Sequence, residues 1–350
     1  MAKKEEVKGS KLSELMKKVN KDVGEEAFTR GMPVYHYELI PFTSPKMNWI
    51  TYGGLPNGRI SEFFGEEGGG KTTTALDQIA NYQNIYPDKE VLYVDLENTL
   101  DIEWARKIGV DVERINLYQP KIESAEYVLQ VIKDAINTGE LGLWVLDSYP
   151  CLTAEKDLGK DLADDARVGG TSGLITRFLR EVVGPCAKNN CSGIIINQIR
   201  DKIGSPVPGQ TTTPGGRALR HFCTTRIEFK KGTYLDENGK TLSRSSGSPN
   251  SQKIMVNMVK TKYCTPDRHV GMYTINYDIG IDYIADLIEQ AMYYDIIEKS
   301  GAWFTIVNPE TGEVLQDKLQ GQNSVHKALD EDEDLMQKVE ELVNSKMNEN

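Results

Sequence analysis

The chain has 350 residues, 39% hydrophobic and 27% charged, with a formal net charge of −11; this is the make-up of a folded protein with one large α/β core and small appendages, and it excludes disorder of the whole. No apolar run reaches about 18 residues and no charged-then-apolar leader opens the chain, so neither a membrane span nor export is expected, and the cytoplasm is the expected compartment. Five cysteines, Cys151, Cys186, Cys191, Cys223 and Cys264, form an odd set without C-x-x-C or zinc spacing, which argues against a disulfide scaffold and predicts reduced, mostly buried thiols.

Residues 1–35 begin with lysines, and Leu12, Leu15, Met16, Val19 and Val23 recur at helical spacing. The helix they predict has one apolar stripe to bury, on the chain's own core or on a neighbouring subunit. From Met47 to Met258 short β-rich runs alternate with helical stretches, the pattern of a mostly parallel sheet covered on both faces, within a core assigned to 36–270. The expected strands are Arg59–Phe64, Val91–Asp95, Ile115–Leu117, Leu143–Asp147, Gly193–Asn197, Thr225–Lys230 and Lys253–Val259, with helices over Lys71–Asn84, Ser124–Asn137 and Thr171–Lys188. Asp236–Asn250, rich in Gly, Ser and Asn, reads as an exposed hairpin loop. Residues 271–350 read as a small α+β region: a strand at Met272–Asn276, a helix at Tyr283–Tyr294, strands Trp303–Val307 and Glu313–Leu315 about a Pro309/Gly312 turn, and an acidic helix from Asp332 to Met347.

Between the first strand and the first core helix lies Gly65-Glu66-Glu67-Gly68-Gly69-Gly70-Lys71-Thr72, which fits G-x-x-x-x-G-K-[ST] at every fixed position. Glycines there let backbone N–H groups converge on nucleotide phosphates, Lys71 brings an ammonium to the β/γ oxygens, and Thr72 brings a hydroxyl to Mg²⁺. Leu143–Asp147 is an apolar strand ending in Asp147, the expected second partner of the metal. Glu97, just past the strand ending at Asp95, sits where ligands gather in an open parallel sheet. Spacing alone leaves Glu97 two uses, as the base that orients and deprotonates water or as a surface acid capping the next helix. Gln198 ends another apolar strand, where its amide can bond the γ-phosphate or the attacking water, and the loop from Lys202 to Gly216 follows it. Around that loop, Gln198–Lys231 carries seven Lys/Arg against two acids, while Asp330–Asn350 carries eight acids against two Lys. Screening confines each patch to about 10 Å, so the local sign outweighs the total.

These residues give the chain a resemblance to the RecA-type DNA strand-exchange recombinases over nearly its whole length. It is carried by Gly54-Leu55-Pro56-Asn57-Gly58-Arg59-Ile60, the phosphate loop, Asp95-Leu96-Glu97, Asn197-Gln198-Ile199-Arg200-Asp201-Lys202-Ile203-Gly204, Thr211 to Leu219, Lys260-Thr261-Lys262 and Glu298 to Trp303. The resemblance implies a RecA-like P-loop ATPase core with a short N-terminal helical oligomerisation segment and a small C-terminal domain with an acidic tail. It implies ATP and Mg²⁺ held by the loop with Thr73 and Asp147, Glu97 as general base, and adenine near Asp101 and Trp104, where Trp104 replaces a tyrosine. Lys260 and Lys262 would reach a neighbour's ATP, which makes hydrolysis a property of a filament. Arg200, Lys202, Ile203, Gly215, Gly216 and Arg217 would contact DNA, with Ile203 as the wedge between base steps.

The implied function is an ATP-dependent recombinase on single-stranded DNA that pairs it with homologous duplex, with a single-stranded DNA-binding protein and a loader as further partners and no membrane. The alternative is a hexameric helicase or DNA motor on the same core, which would carry a docking domain ahead of it and an arginine finger in trans. A scaffold without turnover would lack Glu97. Three departures, the acids Asp161, Asp164 and Asp165 in the first DNA loop, Val207 in the second and His221 for a phenylalanine, suggest an outlying member of the family, of the kind a phage encodes. The acids of Asp330–Asp334 have two readings: a solvated helix start favoured by the dipole, or a competitor with duplex DNA for basic surface.

Overall fold

The computed structural model describes residues 10–23, 37–121, 123–159, 170–201, 211–237, 239–242 and 247–349. It comprises two compact units, 1–37 and 38–350. In the first, α1 (Lys11–Val23) is started by Ser10, whose hydroxyl accepts the Ser13 N–H, and carries Glu14 in its first turn and Lys21 in its last, the signs the helix dipole favours. Its stripe residues Leu12 and Leu15 stand exposed.

The second unit is built on nine strands: β1 (Ile60–Gly65), β2 (Glu90–Asp95), β3 (Ile115–Tyr118), β4 (Leu141–Asp147), β5 (Ser192–Gln198), β6 (Thr225–Leu235), β7 (Ser251–Lys260), β8 (Val270–Asn276) and β9 (Gly280–Ile281), in the order β9-β8-β7-β6-β1-β5-β4-β2-β3. From β6 to β3 every pairing is parallel; β7, β8 and β9 extend the β6 edge by antiparallel pairings. Alternation along each strand sorts side chains to two cores. Val91, Tyr93, Val145, Ile194 and Ile196 face one, with α3 (Lys71–Ile85) packed on them; Leu92, Val94, Trp144, Leu146 and Ile195 face the other, under α5 (Ala125–Asn137) and α6 (Ser172–Asn189). Each fully buried side chain of this kind contributes about 1.5–3 kcal/mol. Trp144 fixes one position by shape: a Cβ on Gly193 would lie 2.2 Å from its ring, so Gly193→Ala has no room.

The helix starts follow local chemistry. Ser124 opens α5 by accepting the Tyr127 N–H, and Asp101 opens α4 (Ile102–Ile108) by accepting that of Trp104. Ser44, with Pro45 at the first helical position, opens α2 (Pro45–Ile50). Asp286 receives the Ser44 hydroxyl and, at 3.0 Å, the Lys46 N–H, while Asp77 of α3 receives the Thr43 N–H at 3.1 Å. Two buried acids therefore hold the start of α2 and the residues leading into it.

Met272–Asn276, read from sequence as the opening of the C-terminal region, belongs to the main sheet as β8, because β7 pairs with it from Ser251↔Asn276 to Asn257↔Val270. The C-terminal region holds α8 (Tyr283–Tyr293), an antiparallel sheet of β10 (Ile297–Ser300), β11 (Trp303–Val307) and β12 (Val314–Gln320), and then α9 (Gln322–Glu331) and α10 (Glu333–Glu349). Its core includes Leu287, Ile306, Leu329, Leu335, Val339 and Val343. The acids Asp330–Asp334 are exposed where α9 meets α10, yet the helix after them buries Leu335, Val339, Val343 and Met347 and is a core element rather than a tail.

Candidate functional site

The carboxyl ends of four parallel strands gather the residues singled out in the sequence. Gly65 at the end of β1 pairs with Gln198 at the end of β5, and Asp95 of β2 pairs with Asp147 of β4. Gly65 turns the chain with φ 151, and a Cβ there would lie 2.0 Å from the Phe229 carbonyl oxygen. Gly70, at φ 84, precedes α3 and gives it no side-chain cap, so the helix's opening N–H groups and its positive dipole end are left for an anion.

Lys71 is 7% exposed, and its Nζ donates to the carbonyls of Gly65 at 3.2 Å and Glu66 at 2.6 Å. Burial pulls its ammonium below the ordinary lysine range, while the charges of Asp147, Glu97 and Glu67 pull the other way. A desolvated ammonium held by two carbonyls, with no ion pair among the described residues, is a charge awaiting an anion. Glu66 and Glu67 crown the loop in solvent.

Asp147 accepts from the Thr72 hydroxyl and from the Tyr93 hydroxyl, each at 2.8 Å and both on Oδ2. Burial raises its carboxyl above the ordinary range, against the effect of those two bonds, and burial also raises the Tyr93 phenol. Thr72 and Asp147 present hard oxygen donors side by side, the set that suits Mg²⁺. Glu97 is exposed, and its Oε1 accepts from the Ser148 hydroxyl at 2.5 Å and lies 3.5 Å from the Gln198 amide nitrogen. Its neighbour Asp95 is buried and accepts from the Leu100 N–H and the Gln119 side-chain amide, fixing the turn that carries Glu97. The helix after it is capped by Asp101, so Glu97 is free of that duty.

Thr73 accepts from the Trp104 indole at 3.2 Å, which sets the ring beside the loop. Asp101 acts on that ring indirectly, through the cap on the Trp104 N–H at 3.0 Å. A cleft of about 510 Å³ opens over the loop, walled also by Lys231 of β6 and by Tyr277. Sequence reasoning missed both, as it missed Tyr93 and Ser148. Lys231 lies where β6 runs on past its pairing with β1, and Tyr277 just after β8, so only the strand order brings them over the loop.

The remaining candidates lie elsewhere. Arg200 and Asp201 form a short antiparallel ladder with Thr212 and Thr211, which joins the two ends of the second loop; Arg200 is exposed. Gly215, at φ 91, starts α7 (Gly216–Phe222), with Gly216 also at positive φ and Arg217 exposed. Lys202, Ile203 and Val207, like Asp161, Asp164 and Asp165 of the first loop, lie outside the described residues. Under the second loop, Asn197, next to Gln198, bonds Glu62 at 2.9 Å and the Pro214 carbonyl at 3.0 Å, and Glu62 pairs at 2.5 Å with buried Arg226. Lys260 donates to the carbonyls of Arg220, His221 and Cys223, and Lys262 to that of His221, so both sit on the C-terminal end of α7. The register Arg226↔Lys260 puts them near the start of β1, away from the loop at its end. Burial and the neighbouring Lys262 push the Lys260 ammonium down to about 8.

Residues 10–282 match the RecA N-terminal domain family and residues 285–348 the RecA C-terminal domain family. The chain is 33% identical over 344 residues to Protein RecA of Mesoplasma florum, covering 97% of each chain. It is 34% identical over 307 residues to Protein RecA of Aquifex aeolicus, covering 87% of this chain and 83% of the relative. The solved structure of the RadB recombinase is alike at a TM-score of 0.49 and 20% identity over 68% of this chain and 96% of that one, too slight a likeness to add to the sequence relationship.

Proposed function

The chain belongs to the RecA family, and from that premise we propose an ATP-dependent recombinase that assembles on single-stranded DNA and exchanges it into homologous duplex. The observation that carries the chemistry is the desolvated Lys71 ammonium at the start of an uncapped helix, beside the Thr72–Asp147 pair. Lys71 exchanges its two carbonyl acceptors for the β/γ oxygens of ATP, and the opening N–H groups of α3 hold the phosphates. Thr72 and Asp147 hold Mg²⁺, which when bound neutralises charge on the phosphate oxygens. Glu97 orients the attacking water and takes its proton, with Ser148 and Gln198 fixing the carboxylate. Trp104 offers its ring to the adenine, with Asp101 holding the helix start beneath it.

The DNA face is proposed at the second loop: Arg200, Lys202 and Arg217 on phosphates, Gly215 and Gly216 permitting close backbone approach, and Ile203 between bases. The Gln198–Asn197–Pro214 connection supports coupling between the phosphate end and that loop. Lys260 and Lys262 are proposed to complete a neighbour's site in a filament, and residues 1–35 to help assemble it. A single-stranded DNA-binding protein and a loader as partners, and a cytoplasmic location, belong to the same proposal.

The test is strand exchange between a circular single strand and homologous linear duplex with ATP and Mg²⁺. Joint molecules that depend on ATP and homology are expected. ATP-driven unwinding of a forked duplex without pairing would instead mark a motor.

A further inference from the structure

Tyr93 lies in the middle of an otherwise apolar stretch of β2, with its ring among Leu76, Ile79, Val145 and other members of one hydrophobic core. The hydroxyl reaches out of that core to a single acceptor, Asp147 Oδ2, at 2.8 Å. The reach follows from the sheet: Tyr93 pairs with Val145, and Asp147 is two residues further along the same face of β4, a diagonal separation that an aromatic side chain can span. Thr72 donates to the same oxygen at 2.8 Å. The two donors differ in what holds them. Thr72 stands in the first turn of α3, facing the nucleotide, and its hydroxyl oxygen is itself one the metal would take, whereas Tyr93 is 1% exposed on a strand between two others and has Asp147 as its partner.

We propose that Tyr93 is a positioning residue for the divalent metal, locking the rotamer of Asp147 from beneath so that its carboxylate is already aimed when nucleotide and metal arrive. This rests on the reading of Asp147 as a metal partner. Its physical ground is that Mg²⁺ demands near-octahedral geometry with short oxygen distances and tolerates little misplacement. Hydrogen-bond partners behind a ligand therefore set affinity, and removing one lowers metal affinity about 10- to 100-fold. Without the phenol, Asp147 would keep one donor, the Thr72 hydroxyl, whose oxygen the metal also needs, and nothing from the strand side would hold its rotamer.

The test is Tyr93→Phe, which keeps the ring and deletes the hydroxyl, read by the affinity of the ADP complex for Mn²⁺ from electron paramagnetic resonance, beside wild type and Asp147→Asn. About a tenfold or larger loss of Mn²⁺ affinity is expected in Tyr93→Phe, with ADP affinity in EDTA within about twofold of wild type. The Mg²⁺ needed for half-maximal hydrolysis should rise by the same factor, and excess Mg²⁺ should restore most of the turnover. If Asp147→Asn loses metal affinity while Tyr93→Phe keeps it within about twofold, the role of Tyr93 is overturned and that of Asp147 stands. If Asp147→Asn itself binds Mn²⁺ like wild type, the reading of Asp147 falls and takes the inference with it. Equal losses of metal-free and metal-dependent ADP binding in Tyr93→Phe would make the hydroxyl a packing element and overturn the proposal as well.

Discussion

The phosphate loop and the second loop stand at the ends of neighbouring strands, yet they are built differently. The first hangs between β1 and a 15-residue helix, and its chemistry is pinned by short bonds among buried groups: Lys71 to two carbonyls, Thr72 and Tyr93 to Asp147. The second is joined by a two-pair ladder, and its arginines point into solvent. Phosphoryl transfer needs atoms fixed in advance, because its barrier is lowered by positioning and by charge. Holding a long polyanion needs charge at adjustable places, since each phosphate contact counts separately through released counterions. The two constructions suit the two tasks, and substitutions should fail differently in each.

The largest effect is expected at Lys71. Lys71→Ala removes the buried ammonium of the cradle, leaving only Lys231 on the wall of the cleft, and should lower ATP hydrolysis by about 10²–10³-fold or more, with nucleotide binding lost in equilibrium titration. Near-normal turnover would show that the loop is not the site. Glu97→Gln should keep nucleotide and DNA binding and slow hydrolysis by about 10²-fold; a wild-type rate in single-turnover measurement would make Glu97 a structural acid and place the base elsewhere. At the second loop, Arg200→Ala and Arg217→Ala should each weaken single-stranded DNA binding in graded fashion and reduce the slope of log affinity against log salt by about 0.7. If either abolished binding outright, the two arginines would not be acting as separate phosphate contacts.

The smallest effect concerns the seam beneath the phosphate helix. Burial raises the Asp77 carboxyl to about 6 and that of Asp286 to about 7, and in Asp286 it outweighs the nearby Lys46, whose ammonium burial also lowers. Each acid binds its proton more tightly folded than unfolded, so between the unfolded value near 3.8 and the folded one the native state holds more protons, and stability falls as pH rises through about 7. The melting temperature should therefore drop from pH 5 to pH 8, and Asp286→Asn should flatten that drop. A wild-type curve independent of pH over this range would contradict it.

The phosphate end was the more legible of the two in sequence, because its motif is local. Eight consecutive residues state the turn, the charge and the metal donor, and apolar runs ending in Asp95, Asp147 and Gln198 state where strands stop. The short helices were less legible. Ser44-Pro45 and Asp101 are readable start signals for α2 and α4, but helices of 6 and 7 residues show too little periodicity to stand out. Gly215-Gly216 reads as a loop end, though it begins α7. Tyr93, Lys231 and Tyr277 could not be found along the chain at all. Their contacts depend on which strands lie side by side, and hydrophobic pattern fixes a strand's faces without fixing its neighbours.

The central claim is that the nucleotide site and the proposed DNA-binding residues act together in an assembled protein. It is tested most directly by the ATP hydrolysis rate with and without single-stranded DNA, measured on the same mixtures imaged by electron microscopy. Hydrolysis that rises on adding DNA, with filaments in those mixtures and none when DNA and nucleotide are both absent, is the expected result. A rate indifferent to DNA, in mixtures without filaments, would contradict it.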